Sequence, residues 1–395
     1  MSNIELRNWQ IEATKQCIDW LTKVKASKHF IINAAPGAGK TICASVIAAQ
    51  LIDQDEIDRV IIIAPRAEVV KQWAEEFYFV TKRHMSRITG SDGEIENFGV
   101  DLCATWSAIS NLQDGFQRVC NSSRTLVICD EHHHAAVAAA WGDGADSAFK
   151  NAKYTLILTG TPMRSDGSET VWVAFDDKGQ INQPAEGMYT LSYGKAVDLG
   201  YCRPVTFHRH EGMFTVAFEG GPGIKVSGNK APDIPENLKD IRGLKNAVDF
   251  YRLACTRRYL SDGVTPDLNS YQATMLKYGI EKLNEQRLTI PKAGGLVIAP
   301  NIAMAEYMAE ILEMLEGEKP TIVHSNNRNA DQRIAAFRNT SQKWIVSVAM
   351  ISEGVDIKRL RVMVYLPNAR TELAFRQAVG RVVRSLGKKD MSSAY

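Results

Sequence analysis

A glycine-rich turn lies between a strand pattern and a helix pattern near the amino terminus. It consists of Ala35, Pro36, Gly37, Ala38, Gly39, Lys40 and Thr41, after the apolar run 30–32 and before the helical run 42–49. In such a turn, backbone N–H groups and the positive end of a helix dipole converge on a phosphate. We predict that residues 36–41 bind a nucleotide. Lys40 would reach the outer phosphates, and the Thr41 hydroxyl would bind magnesium.

Two acidic residues follow a second buried-strand pattern. Residues 125–129 are apolar apart from Thr125 and lead directly into Asp130 and Glu131. A carboxylate at the carboxyl end of a parallel strand beside a phosphate loop is well placed to hold magnesium, and the next can orient a water for in-line attack. We therefore predict that Asp130 binds the metal and Glu131 the water.

Composition limits the class of protein. The chain has 395 residues, of which 45% are hydrophobic and 23% charged, which is typical of a globular protein of two domains. Its formal net charge of +2 is too small to indicate nucleic-acid binding alone. Seven cysteines form no C-x-x-C pair and are expected to be free thiols. No apolar run is long enough for export or a membrane span, so we expect a cytoplasmic protein with no membrane partner.

The order of patterns predicts an α/β fold with two parallel-sheet domains in tandem and a small helical insertion. We expect domain 1 at residues 1–190 and domain 2 at 191–395, with the insertion at about 238–290. The strands predicted for domain 1 are 29–34, 59–64, 101–104, 125–129 and 154–158. Those for domain 2 are 295–299, 321–324, 344–348 and 362–366, with helices at 302–315, 329–338 and 371–385. The insertion is predicted to contain helices at 238–260 and 271–288.

Five motifs occur in one order along this chain. They are residues 35–41, the acidic run 130–133, Thr159-Gly160-Thr161-Pro162, residues 352–356 and the run 377–384, which contains Gln377, Gly380, Arg381 and Arg384. Together they resemble superfamily 2 helicases, and most closely the DExH-type members related to type III restriction subunits and phage repair helicases. The resemblance implies two RecA-like domains that bind ATP between them and nucleic acid across their tops.

The resemblance also assigns roles within the ATP site. Arg7 and Gln10 match the adenine-reading motif, with a polar start to the first helix as the alternative. Gln377 belongs to the motif of Arg381 and Arg384, which match arginine fingers; these two would lie on one helical face of domain 2, unless they are merely exposed helix charges. Gly354 and Asp356 match the loop that senses the ribose. His133, Thr159 and Thr161 match groups that couple hydrolysis to domain movement, although Thr-Gly-Thr-Pro is also an ordinary turn. Gly160 stands where the family commonly has alanine.

Further positions match the nucleic-acid contacts of that family at the carboxyl ends of strands. They are Pro65, Arg66, Thr105, Pro300, Asn301, His324 and Ser325. Short polar groups and helix N-termini there would bind phosphates rather than bases, which gives binding independent of sequence. For each position singly, a loop residue without a ligand is the alternative.

Three consecutive histidines, 132–134, could suggest zinc. Adjacent imidazoles do not share one face and no paired cysteine lies nearby, so we expect no zinc site. The chain ends at residues 392–395, about where the last strand of the family would begin. We therefore expect protein partners or a further carboxyl-terminal module.

The sequence predicts an ATP- and Mg²⁺-dependent superfamily 2 motor that acts on nucleic acid, with DNA favoured over RNA through the resemblance alone. One alternative is a duplex translocase, or motor subunit of a restriction or defence complex, that does not separate strands. A second is an adaptor that binds nucleotide without hydrolysis. The intact set of Lys40, Asp130, Glu131, Arg381 and Arg384 argues against the adaptor.

Overall fold

The structure is a computed structural model of the whole chain. It describes residues 4–92, 94–131, 139–160, 172–173, 181–182, 185–218, 221–239, 243–324, 326–327, 329–348, 357–366, 372–385 and 393–395. The contacts divide the chain into two compact units. The first comprises the chain up to Arg203 together with Thr371–Met391, and the second comprises mainly Pro204–Ile351, Ile357–Arg370 and Ser392–Tyr395. The predicted domain boundary at residue 190 stays a prediction.

The first unit is a seven-stranded parallel sheet with the order β3-β4-β2-β5-β6-β1-β7. Its elements are α1 (Asn8–Ile18), β1 (His29–Ala34), α2 (Lys40–Asp53), β2 (Arg59–Ala64), α3 (Ala67–Thr81), β3 (Met85–Ile88), β4 (Asp101–Thr105), α4 (Trp106–Ser122), β5 (Thr125–Cys129), α5 (Ala139–Phe149), β6 (Tyr154–Thr159), β7 (Met188–Leu191) and α6 (Tyr193–Asp198).

Helices cover both faces of this sheet. Alternate residues of one strand point to opposite faces, and in β2 this places Val60 and Ile62 in one core with residues of α2 and α3. Ile61 and Ile63 lie in the other core with residues of α4 and α5. A strand buried on both faces needs a continuous apolar run, which is why the central strands were predicted from the sequence.

The second unit has a four-stranded parallel sheet with the order β11-β12-β10-β13 and a separate antiparallel hairpin, β8-β9. Its elements are β8 (Met213–Phe218), β9 (Gly221–Ser227), α7 (Leu244–Ala247), α8 (Phe250–Ala254), α9 (Tyr271–Thr289), β10 (Gly294–Ile298), α10 (Ile302–Glu316), β11 (Thr321–Val323), α11 (Ala330–Asn339), β12 (Trp344–Ser347) and β13 (Leu360–Tyr365). Helix α12 (Glu372–Val379) follows in the chain and belongs to the first unit.

Two helix predictions are wrong in extent. The predicted helix 238–260 is replaced by the short helices α7 and α8, because Gly243 has a left-handed φ of 86° and Asp249 begins a new helix by accepting a hydrogen bond from the N–H of Arg252. The predicted helix 371–385 ends at Val379. Among the described residues, no helix is long and apolar enough to cross a membrane.

Candidate functional site

The glycine-rich turn leaves β1 and enters α2, as predicted. Gly37 and Gly39 have φ values of 78° and 95°, in the left-handed region that favours glycine. A Cβ atom on Gly39 would lie 2.9 Å from Nε2 of Gln10. Backbone conformation and close approach therefore both require glycine at position 39.

Side chains at the start of α1 donate hydrogen bonds to the backbone of this turn. The guanidinium of Arg7 and the indole N–H of Trp9 donate to the Ala38 carbonyl at 2.8 and 3.2 Å, and Nε2 of Gln10 donates to the Gly39 carbonyl at 3.0 Å. Oε1 of Gln10 accepts from the Arg7 N–H at 2.8 Å, and the residue is 4% exposed. One end of the Gln10 amide thus binds the turn, and the other binds the backbone at the start of α1. The adenine-reading role of Arg7 and Gln10 stays a prediction.

Lys40 is the first residue of α2, and Thr41 lies beside it in the first helical turn. The Lys40 ammonium donates to the carbonyl of Ala34 at 3.0 Å, so it folds back toward the end of β1. A Cβ atom on Gly160, which follows β6, would lie 3.1 Å from that ammonium and 3.3 Å from Cγ of Pro36. Gly160, the residue after β6, therefore lies directly beside the Lys40 ammonium.

Asp130 and Glu131 directly follow β5, and β6 alone separates that strand from β1. Two indole N–H groups hold Asp130: Trp73 donates to its carboxylate at 2.8 Å, and Trp106 to its carbonyl at 3.1 Å. Burial and the neighbouring Glu131 raise the pKa of Asp130 to about 6, against the lowering effects of the Trp73 hydrogen bond and Lys40. Asp130 is thus a half-buried carboxylate whose negative charge is only partly balanced by the protein.

The predicted arginine fingers do not share one helical face. Beyond Val379 the chain forms tight turns, in which Arg381 donates its backbone N–H to Ala378, three residues back, at 3.0 Å. Arg384 instead pairs its backbone with Cys202 in an antiparallel bridge. The helical prediction was wrong because residues distant in sequence bind the backbone of this segment.

This segment lies directly on the phosphate turn. A Cβ atom on Gly37 would be 3.0 Å from Cγ of Arg384, and one on Gly380 would be 2.9 Å from Cβ of Pro36. Arg381 is 6% exposed. Gln377 lies in the last turns of α12 and is half-buried. The structure thus places the Arg384 side chain beside the turn that is predicted to bind phosphate.

The described nucleic-acid candidates lie at carboxyl ends of strands, as predicted. In the first unit, Pro65 and Arg66 connect β2 to α3, and the Thr105 hydroxyl caps α4 by accepting from the Ala108 N–H at 3.3 Å. In the second unit, Pro300 and Asn301 follow β10, and Asn301 caps α10 by accepting from the Met304 N–H at 2.8 Å. His324 follows β11, and its backbone N–H donates to Asn327 at 2.9 Å.

Several predicted residues lie outside the described part of the chain. They are His132, His133, His134, Thr161, Ser325, Gly354 and Asp356. Thr159 is described as the last residue of β6 and is 5% exposed. Within the described ranges, no group of three or more His, Cys, Asp or Glu side chains could hold a metal ion.

Comparisons with known proteins give one consistent result. The sequence model of the type III restriction enzyme res subunit matches residues 3–164, and that of the helicase conserved C-terminal domain matches residues 280–385. The chain is 29% identical over 395 residues to an uncharacterized protein of Mycobacterium tuberculosis, covering 100% of this chain and 61% of that protein. It is 24% identical over 397 residues to "Putative helicase 22" of Sulfolobus islandicus filamentous virus, covering 97% and 62% respectively.

Solved structures of restriction enzymes share the fold. The DNA-bound Type ISP restriction-modification enzyme LlaBIII matches 99% of this chain and 27% of its own, with a TM-score of 0.59 at 16% identity. A fragment described as a "putative HsdR subunit" of a type I restriction enzyme from Vibrio vulnificus matches 98% and 62%, with a TM-score of 0.60 at 17% identity. The resemblance to superfamily 2 helicases is confirmed by both family models. The α/β fold with two RecA-like domains is confirmed. The chain spans about 61% of the length of the curated relatives it matches first.

The sequence did not indicate the residues that support this candidate site. The indole of Trp9 donates a hydrogen bond to the glycine-rich turn, and the indoles of Trp73 and Trp106 donate to Asp130. Cys202 binds the same turn, and Arg203 binds the segment that carries Arg381 and Arg384. Trp9 lies between Arg7 and Gln10, so its position was the available signal. The others act through contacts between residues distant in sequence.

Proposed function

We propose that the chain is an ATP-hydrolysing motor that acts on nucleic acid, preferably DNA, and couples hydrolysis to strand separation or translocation. One observation carries the proposal. The half-buried carboxylate of Asp130 lies close enough to Lys40 for the ammonium to lower its pKa, and Lys40 begins the helix after a glycine turn whose backbone conformation suits phosphate. A carboxylate, an opposing cation and a phosphate-binding turn are the parts that phosphoryl transfer needs.

The site fits ATP and Mg²⁺. Lys40 donates to the Ala34 carbonyl, so binding the phosphates requires the exchange of that hydrogen bond. Asp130 carries a raised pKa, which a divalent cation would lower by favouring the ionised carboxylate. Asp130 and Thr41 would hold the cation, which supplies positive charge to the phosphate oxygens. The residues present therefore suit both groups.

The remaining roles follow from position. Glu131 has a left-handed φ of 49°, so the chain turns sharply after Asp130 and the two neighbouring carboxylates need not point the same way. We assign Glu131 to orient the attacking water, since it is the second carboxylate at this strand end. Arg384, beside Gly37, and Arg381 are assigned to stabilise charge on the transferred phosphoryl group.

Nucleic acid is proposed to bind at the strand ends. Thr105 and Asn301 both cap helices that begin where strands end, so exposed backbone N–H groups and positive helix dipoles face the same side of their sheets. Such groups recognise phosphates without reading bases. The preference for DNA is supported by the DNA-bound restriction enzyme that shares the fold.

A second candidate is a duplex translocase that serves as the motor of a restriction or defence complex. The match of residues 3–164 to the type III restriction res subunit and the fold shared with two restriction enzymes favour it. Both candidates use the same ATP site, so they differ only in what the motor does to the duplex.

A strand-displacement assay with 3′-tailed, 5′-tailed, forked and blunt duplexes separates the candidates. ATPase activity should rise with nucleic acid, and Lys40→Ala is the inactive control. Displacement of tailed duplexes supports the helicase. Stimulation by blunt duplex without displacement supports the translocase. An ATPase rate in the parent no higher than in Lys40→Ala would refute both.

A further inference from the structure

Arg203 is fully buried. It is the last residue of the long amino-terminal segment that forms most of the first unit. Its backbone N–H donates to the Val383 carbonyl at 2.8 Å, and its guanidinium donates to the carbonyls of Val382, at 2.9 Å, and Arg384. One residue thus binds three consecutive carbonyls. These carbonyls lie just beyond α12, where intrahelical partners are no longer available.

Further bonds fix Arg203 and its neighbour Cys202 in place. The Cys202 thiol donates to the carbonyl of Pro36 in the phosphate turn at 3.2 Å, and its backbone pairs with that of Arg384. The Tyr193 hydroxyl donates to the Arg203 carbonyl at 2.7 Å. Cys202 and Arg203 therefore connect the phosphate turn to the backbone that carries Arg384.

The position of the Arg384 side chain depends on that backbone. Its Cγ atom would be 3.0 Å from a Cβ on Gly37, so the aliphatic part of the arginine packs against the turn. A shift of about 1 Å in a group that stabilises a transition state can lower a rate by about 10²-fold. Bonds at residues 382–384 are close enough to Arg384 to prevent such a shift.

We propose that Arg203 is a positioning residue for Arg384: it holds the backbone of residues 382–384 against the phosphate turn so that the Arg384 guanidinium meets the transferred phosphoryl group. The inference rests on the proposed function, in which Arg384 is a finger residue. It assigns no contact between Arg203 and nucleotide. Arg203 should therefore affect turnover through Arg384 and leave nucleotide affinity nearly unchanged.

The test is a double-mutant cycle in the full chain. Arg203→Met should lower kcat of the nucleic-acid-stimulated ATPase by about 30- to 100-fold and change KM for ATP by less than about 3-fold. Arg203→Lys, which keeps a cationic donor, should recover part of kcat. In the Arg384→Ala background, Arg203→Met should change kcat by less than about 3-fold, because the group it positions is already absent.

Arg359 provides a matched control for the loss of a buried arginine. It is 9% exposed, lies in the second unit, and donates to the carbonyls of Phe337, Gln342 and Lys292 at 2.8–3.1 Å. Arg359→Met should lower the thermal unfolding temperature but leave kcat of the folded protein within about 3-fold of the parent. A loss of kcat equal to that of Arg203→Met would show a general effect of destabilisation and overturn the inference.

Equal losses of kcat from Arg203→Met in the parent and Arg384→Ala backgrounds would also overturn the inference, and so would an unchanged kcat in Arg384→Ala itself. An unchanged kcat in Arg384→Ala would also remove the role proposed for that residue. Neither result refutes ATP hydrolysis itself, which is refuted if Lys40→Ala is as active as the parent. Should Arg203→Met not fold, Tyr193→Phe removes the bond to the Arg203 carbonyl. It should lower kcat by about 3-fold in the parent and not at all in Arg384→Ala.

Discussion

In the proposed ATP site, Lys40 and Glu131 carry opposite charges, so their loss should have different effects. Lys40→Ala removes a cation from the phosphates and should weaken ATP binding as well as turnover. Glu131→Gln removes the carboxylate that orients water and should lower kcat by about 10²-fold or more while ATP binding stays near the parent value. ATP binding by equilibrium fluorescence and ATPase rates test both. An ATPase rate in Glu131→Gln equal to that of the parent would contradict the assignment.

The raised pKa of Asp130 predicts that its ionisation lowers the free energy of unfolding as pH rises. Its pKa of about 6 lies above the ordinary 3.8, so the folded state holds the proton more tightly than the unfolded chain. Below pH 3.8 there is no cost; the cost grows as pH rises to 6 and is complete above it. The cost is therefore larger at pH 8 than at pH 5.

Asp130→Asn removes this cost and keeps an oxygen that can accept the Trp73 hydrogen bond. Unfolding with urea should show the variant to be more stable than the parent, and by a larger margin at pH 8 than at pH 5. Mg²⁺ should stabilise the parent and not the variant. A margin independent of pH would show that Asp130 does not carry the cost.

The sequence suggested the charged residues of the candidate ATP site but did not indicate the residues that hold them. A phosphate turn or an acidic pair is specified by adjacent residues, so the pattern is visible in one dimension. The hydrogen bonds that hold Asp130 come from Trp73 and Trp106, which lie 57 and 24 positions away. Those contacts depend on the packing of α3 and on the start of α4, which no local pattern encodes.

Helix caps at strand ends give a prediction at the scale of the element. Asn301→Ala removes the cap of α10 and should cost about 1 kcal/mol of stability without adding charge. Asn301→Asp keeps the accepting oxygen but places a negative charge where phosphate is proposed to bind. For Asn301→Asp we expect unchanged stability and weaker DNA binding. For Asn301→Ala we expect lower stability and unchanged DNA binding. Equal DNA affinity in Asp and parent would remove Asn301 from the nucleic-acid surface.

In the sheet of the first unit, central strands were predicted and edge strands were not. The bounds of β1, β2 and β5 agree with the predicted ones because these strands are buried on both faces. Strands β3 and β7 have short, mixed sequences and lie at the two edges of the sheet, where one neighbour is sufficient. Whether a segment pairs at the edge of a sheet depends on the rest of the fold, so the sequence of an edge strand shows little pattern of its own.

For the whole molecule, the proposed function predicts how DNA binding responds to salt. Contacts to phosphates release counterions, so log affinity should fall with log salt by about 0.7 to 0.9 per phosphate neutralised, and almost equally for all sequences. Arg66→Ala should weaken binding to all sequences alike and flatten the slope by up to about one. Lys23→Ala is a control, because Lys23 is 74% exposed, pairs with Asp19 and precedes β1 rather than following a strand.

The same titrations test the preference for DNA. Contacts at strand ends recognise phosphates, which DNA and RNA share, so affinity alone is a weak criterion. ATPase stimulation reports whether the bound strand reaches the site in the conformation that supports turnover. We expect single-stranded DNA to stimulate ATPase more than RNA of the same length, sequence and concentration, with Lys40→Ala inactive on both. Stronger stimulation by RNA would reverse the choice of substrate, and the motor proposal would still stand, since it depends on the ATP site alone.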